Sequence, residues 1–173
     1  MNDRTAAESA MTPGKGLLVL LAIIVVVGAF LALGHALGVA EIWAAFLFLL
    51  YWAGIEHAAV DRLPACISGA VLGLLLGYLL KMLPLWLGAA TGGGVFLALV
   101  LLLVYCQVMG WLVVAVNMVT MLYLTVTTIP AIQSGVDFGG AFSALALGIV
   151  YFGGLVMAAQ WGQKRWAASR MPA

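Results

Sequence analysis

Six stretches of this chain are apolar for close to the length that carries a helix across a bilayer: residues 16–37, 42–59, 63–83, 86–107, 111–129 and 138–161. About 20 such residues cover the hydrocarbon core. No other feature constrains the fold as strongly. A soluble domain covers its surface with about a quarter charged residues. This chain has 8% charged against 66% hydrophobic residues, so the exterior it can build is one that faces lipid. The second stretch is the weakest, because its uncharged part ends at Ile55. Pro64, Pro84 and Pro130 stand at stretch boundaries, where proline is tolerated in a first turn or follows a last one. The expectation is an all-α polytopic protein of six transmembrane helices. A short tail (1–15) precedes the membrane domain (16–161), and a basic tail (162–173) follows it.

The basic residues give the threading a direction. With both termini on the cytoplasmic side, Arg4, Lys15, Arg62, Lys164, Arg165 and Arg170 lie inside and Lys81 alone lies outside. Cytoplasmic loops carry such an excess. An odd number of passes would separate the two terminal groups. Trp43, Trp86, Trp111 and Trp161 fall near stretch ends, as interfacial aromatics do. The net charge of +1 without a basic patch argues against nucleic acid as a partner.

Small residues recur at helical spacing. Ala65, Gly69, Gly73 and Gly77 line one stripe of the third stretch, and Gly140, Ala144 and Gly148 one stripe of the sixth. In lipid such stripes let helix backbones approach closely. Packing within the monomer accounts for them; an oligomer interface or a pore-lining face is the alternative. Ser68 and Gly73 reappear as Ser143 and Gly148, 75 residues on, and Trp43 and Trp111 open the second and fifth stretches at an offset of 68. Three stretches used twice would form a 3+3 inverted repeat, an arrangement that recurs in transporters with the solute site between the halves.

Polar residues inside the stretches are few. Asn117, Thr120 and Thr128 interrupt the fifth, and Thr91, Gly92 and Gly93 open a loosened part of the fourth. These six are the candidates for a solute pathway. Asn117 also suits an interhelical hydrogen bond, because an amide in hydrocarbon seeks a partner. Glu56, His57, Asp61 and Arg62 form the one polar constellation, in the loop before the third stretch. His57 and Asp61 would meet on a continuing helical turn, and Glu56 with His57 could serve acid–base chemistry. A cytoplasmic loop needs such charge in any case, no nucleophile or metal spacing accompanies it, and an enzyme is the minor reading. Cys66 and Cys106 make no zinc or CxxC spacing. Neither a metal nor a cofactor is expected.

The run 142–154 (FSALALGIVYFGG), together with Trp43-Ala44-Ala45-Phe46, resembles a family of small six-span bacterial inner-membrane proteins of unassigned function. The resemblance implies a bacterial plasma membrane and six helices, and it transfers no site residue. The residues themselves favour a channel or facilitative transporter for a small uncharged or weakly polar solute. A structural or assembly subunit, as a homo-oligomer or with another membrane protein, is the alternative.

Overall fold

The computed structural model describes residues 13–168. Residues 1–12 and 169–173, with Arg4 and Arg170 of the charge pattern, lie outside the described residues. Every regular element among the described residues is helical. Two units result, divided after Gly38. The first contains α1 (Pro13–Ala36), an apolar helix from the first described residue. The second contains α2 (Trp43–Gly54), a 3-10 turn (Val60–Arg62), α3 (Leu63–Leu87), α4 (Ala89–Val108), α5 (Met118–Thr127), α6 (Pro130–Gly135) and α7 (Phe138–Ala168).

Among the described residues, four helical segments are long and apolar enough to cross a membrane: Pro13–Ala36, Val60–Leu87, Ala89–Val108 and Phe138–Gln163. The second and fifth stretches form shorter helices than their composition predicts. At 12 and 10 residues, α2 and α5 reach about 18 and 15 Å, against about 30 Å of hydrocarbon.

Both short helices end for local reasons. Beyond Gly54 the amides of Ile55 and Glu56 both donate to the Tyr51 carbonyl, and His57 and Ala58 take positive φ. The Trp52 indole then donates to the Ala59 carbonyl at 2.9 Å and clips the loop to the helix. His57 and Asp61 therefore do not share a helical turn. In the fifth stretch, the helix starts only at Asn117. Its side chain accepts from the Val119 and Thr120 amides, and the Thr120 hydroxyl accepts from the Asn117 amide, a reciprocal capping box. Upstream, Gly110 and Leu112 have φ of +66° and +55°, which no helix accommodates. The β-branched Val113, Val114 and Val116 add no strong helix preference against the break.

Contacts within the second unit fix the chain direction. At one end the Gln133 amide donates to the Gly77 carbonyl at 3.0 Å, Lys81 Nζ to the Val136 carbonyl at 3.3 Å, and the Asp137 amide to Glu41 Oε1 at 3.2 Å. At the opposite end Asn117 Nδ2 donates to the Ala65 carbonyl at 2.9 Å, and the Ser68 hydroxyl bonds the Val114 carbonyl. So α5 runs parallel to α3, and α2 parallel to α7. Gly92 packs on the backbone of Leu83 and Pro84, so α4 turns at Gly88 (φ +82°) and runs back along α3. The direction thus alternates through α2, α3, α4, α5 and α7.

Small residues make these contacts close. A Cβ at Gly73 would fall on the Tyr123 Cβ and 2.8 Å from the Thr120 carbonyl oxygen. At Gly77 it would lie 2.5 Å from Thr127 Oγ1, and at Gly69 on the Asn117 carboxamide. On α7, a Cβ at Gly148 would lie 2.7 Å from the Ala45 Cβ, and one at Gly140 3.3 Å from Glu41 Cγ. Glycine costs a helix about 1 kcal/mol against alanine, and here dispersion across the near-touching backbones offsets that cost. Around these seams the buried core is apolar and aromatic, with Phe48, Trp52, Leu74, Tyr123 and Leu145 almost fully enclosed.

Candidate functional site

A cavity of about 240 Å³ opens where the Glu56–Arg62 loop, the start of α3 and the start of α5 meet. Tyr51 and Cys66 supply a phenol and a thiol to its walls, Val113, Val114 and Val119 supply apolar surface, and Asn117 contributes from the α5 cap. Glu56, Asp61 and Arg62 stand around its mouth. The Arg62 guanidinium lies 3.9 Å from both carboxylates, with 63% of its side chain exposed. Such loose, solvated pairs contribute little to stability, which leaves the three groups free to meet a solute. The Tyr51 phenol and the Glu56 carboxylate line the same cavity.

Asn117 is fully engaged by protein. Its Nδ2 donates to Ala65 at 2.9 Å and Val114 at 3.0 Å, while its Oδ1 accepts from Val119 at 3.0 Å and Thr120 at 3.4 Å. A carboxamide offers two donors and two lone pairs, so none is left over. The residue joins α3 to α5 and shapes the cavity rather than presenting a spare hydrogen bond to it.

The other pathway candidates disperse. Thr120 is fully buried, its hydroxyl donating to the Ala115 carbonyl at 2.6 Å. Thr128 is exposed and bonds back to Thr125 at 2.7 Å. Thr91 is exposed in the first turn of α4. Gly92 is buried against α3, whereas a Cβ at Gly93 would meet nothing within 4 Å. Alanine at Gly93 is accordingly expected to be neutral or to stabilise by about 0.5–1 kcal/mol, with Gly92→Ala clearly destabilising. Thermal midpoints in detergent test this; an equal loss at both positions would mean that Gly93 also faces a close neighbour.

Nor do the candidate acid–base residues converge. Glu56 and Asp61 line the cavity, but His57 is exposed and does not. Among the described residues no three His, Cys, Asp or Glu side chains gather as a metal site requires. Two polar wall residues that the sequence did not mark as site candidates are Tyr51 and Cys66. Their signal was positional: each falls on the buried face of its helix next to the charged loop. The chain matches no family model, no curated protein and no solved structure.

Proposed function

We propose that the protein is a six-pass membrane facilitator for a small uncharged or weakly polar solute, with both termini cytoplasmic and the Arg62 cavity as its inner mouth. The observation that carries this is the cavity itself: a pocket with phenol, thiol and carboxylate groups beside a helix broken at Asn117, in a chain otherwise clothed in apolar side chains. Irregular backbone at membrane depth is tolerated where it is buried in protein or lines a cavity. Transporter sites are commonly built at such interrupted helices.

Two further facts support six passes. Contacts of residues 117–136 with α3 extend from Ala65 to Lys81, roughly 24 Å at 1.5 Å per residue. The short α5 and its flanks together therefore match most of the membrane thickness. The elements also recur at one interval. Trp43 and Met118 open α2 and α5, 75 residues apart, and Leu63 and Phe138 open α3 and α7, again 75 apart. Contacts follow the same interval: Gly73 meets Thr120, and Gly148 meets Ala45. The Ser68 hydroxyl bonds the Pro64 carbonyl, and the Ser143 hydroxyl the Gly139 carbonyl, both at 2.9 Å. The α3–α5 pair thus corresponds to the α7–α2 pair, which runs in the opposite direction, the relation a 3+3 inverted repeat produces.

The carboxylates and phenol at the mouth favour solutes that donate hydrogen bonds, such as small amides and polyols. Purified protein in liposomes is expected to speed the equilibration of glycerol, urea or acetamide at least several-fold over empty liposomes, followed by light scattering. Unchanged rates for all three, with protein verified as folded, would remove the proposal.

A further inference from the structure

The interval of 75 residues extends to the cavities. A second cleft, of about 300 Å³, lies at the Lys81 end between the start of α2 and α6, lined by Glu41, Trp43, Ala131 and Val136 among others. Ala131 and Val136 stand 75 positions after Glu56 and Asp61, which line the Arg62 cavity. Trp43 stands 75 before Met118, beside Val119 of that cavity. The two clefts are therefore built from corresponding segments at opposite ends of the same unit. Each combines a carboxylate with an aromatic ring: Glu56 with Tyr51 at one, Glu41 with Trp43 at the other.

One bond breaks the correspondence. The buried Tyr123 hydroxyl donates to the Ala44 carbonyl at 2.5 Å and ties α5 to the first turn of α2, one residue from Trp43, which lines the second cleft. The counterpart of Tyr123 is Phe48, also buried, and the counterpart of Ala44 is Val119, in the wall of the Arg62 cavity. Phenylalanine has no hydroxyl, so the matching tie beside the Arg62 cavity is missing. A hydrogen bond joins α5 to α2 beside one cleft, and its counterpart is absent beside the other.

We infer that the cleft at the Lys81 end is the outer mouth of the pathway whose inner mouth is the Arg62 cavity, and that the Tyr123–Ala44 hydrogen bond restrains it from opening further. This rests on the transport reading and deepens it to alternating access. A solute that donates hydrogen bonds would meet a carboxylate and an aromatic ring at either face. A hydrogen bond in a membrane interior shifts a two-state population by a small factor, about threefold for an average one.

Two buried cavity-lining positions report on opening: native Cys66 at the Arg62 cavity, and Val136→Cys in a Cys66→Ala background at the other. Both are prepared in the full chain with Cys106→Ser. A charged, membrane-impermeant methanethiosulfonate is applied to right-side-out and inverted vesicles. The expected result is reaction of Cys66 from the Arg62 face only and of Val136→Cys from the Lys81 face only. Adding Tyr123→Phe should raise the Val136→Cys rate about threefold and lower the Cys66 rate. Combining Tyr123→Phe with Phe48→Tyr moves the hydroxyl to the counterpart position and should raise the Val136→Cys rate at least as far. Reaction of both cysteines from one face overturns the inference, as do rates that Tyr123→Phe leaves unchanged or moves in the same direction. Glycerol flux in the same vesicles separates the failures. Flux without reciprocal rates overturns this inference alone; its absence, with that of urea and acetamide flux, overturns the transport reading and the inference together.

Discussion

Leucine at Gly73 is expected to destabilise the protein by roughly 3 kcal/mol or more, and alanine there by about 2 kcal/mol, near the upper part of the range for overpacked cores. The seam leaves no slack. The first atom added would clash with the Tyr123 Cβ and crowd the Thr120 carbonyl, so α3 and α5 must separate along their length. Separation in turn loosens the Asn117–Ala65 bond at one end of the seam and the Gln133–Gly77 bond at the other. Unfolding in a graded detergent mixture checks the expectation. A loss below about 1 kcal/mol for Gly73→Leu would mean that the two helices are not held at this distance.

That seam was half legible in the sequence. The glycine stripe of α3 is periodic and pointed to close packing, but a stripe does not name its partner. Parallel packing on α5, rather than on a sequential neighbour, comes from the chain returning through α4 before α5 begins. The 111–129 stretch was misleading for a physical reason. Its mean hydropathy is high despite Asn117 and the threonines, so length and composition describe one continuous helix. Asn117 followed by Thr120 is a capping pair, and reciprocal hydrogen bonds overrode hydropathy. The 55–59 segment departed in the same way. A helical continuation would pair His57 with Asp61, yet the Trp52 indole pulls the Ala59 carbonyl back and bends the chain through two positive-φ residues. The cavity forms between these two irregular segments, where periodicity carries no information about the path of the backbone. Thr91 and Thr128 looked equivalent to Asn117 as polar interruptions, but the helices turn them outward.

Leucine at Asn117 is expected to cost about 2–3 kcal/mol. Loss of the N-cap accounts for about 1 kcal/mol, and the rest comes from the lost Asn117–Ala65 bond and from a branched side chain set against Gly69, while the Ala65 carbonyl keeps the Ser68 hydroxyl at 3.3 Å. The Val114 carbonyl keeps the Ser68 hydroxyl, which limits the damage. Asn117→Asp separates the two duties of the residue. Its carboxylate still caps the Val119 and Thr120 amides but gives nothing to Ala65 or Val114, so the helix start should survive while the α3–α5 link is lost. In Asn117→Leu the brake on helix growth also goes. Residues 111–116 are then free to join α5 as the continuous helix their hydropathy favours, and the Arg62 cavity loses the wall formed by Val113 and Val114. Slower amide hydrogen exchange at Val113 and Val114 in the leucine variant, with reduced glycerol flux per folded molecule, is the expected pair of results. Flux lost without any change in exchange or stability would instead mean that the carboxamide itself touches the solute, contrary to the full engagement of its four hydrogen-bonding positions.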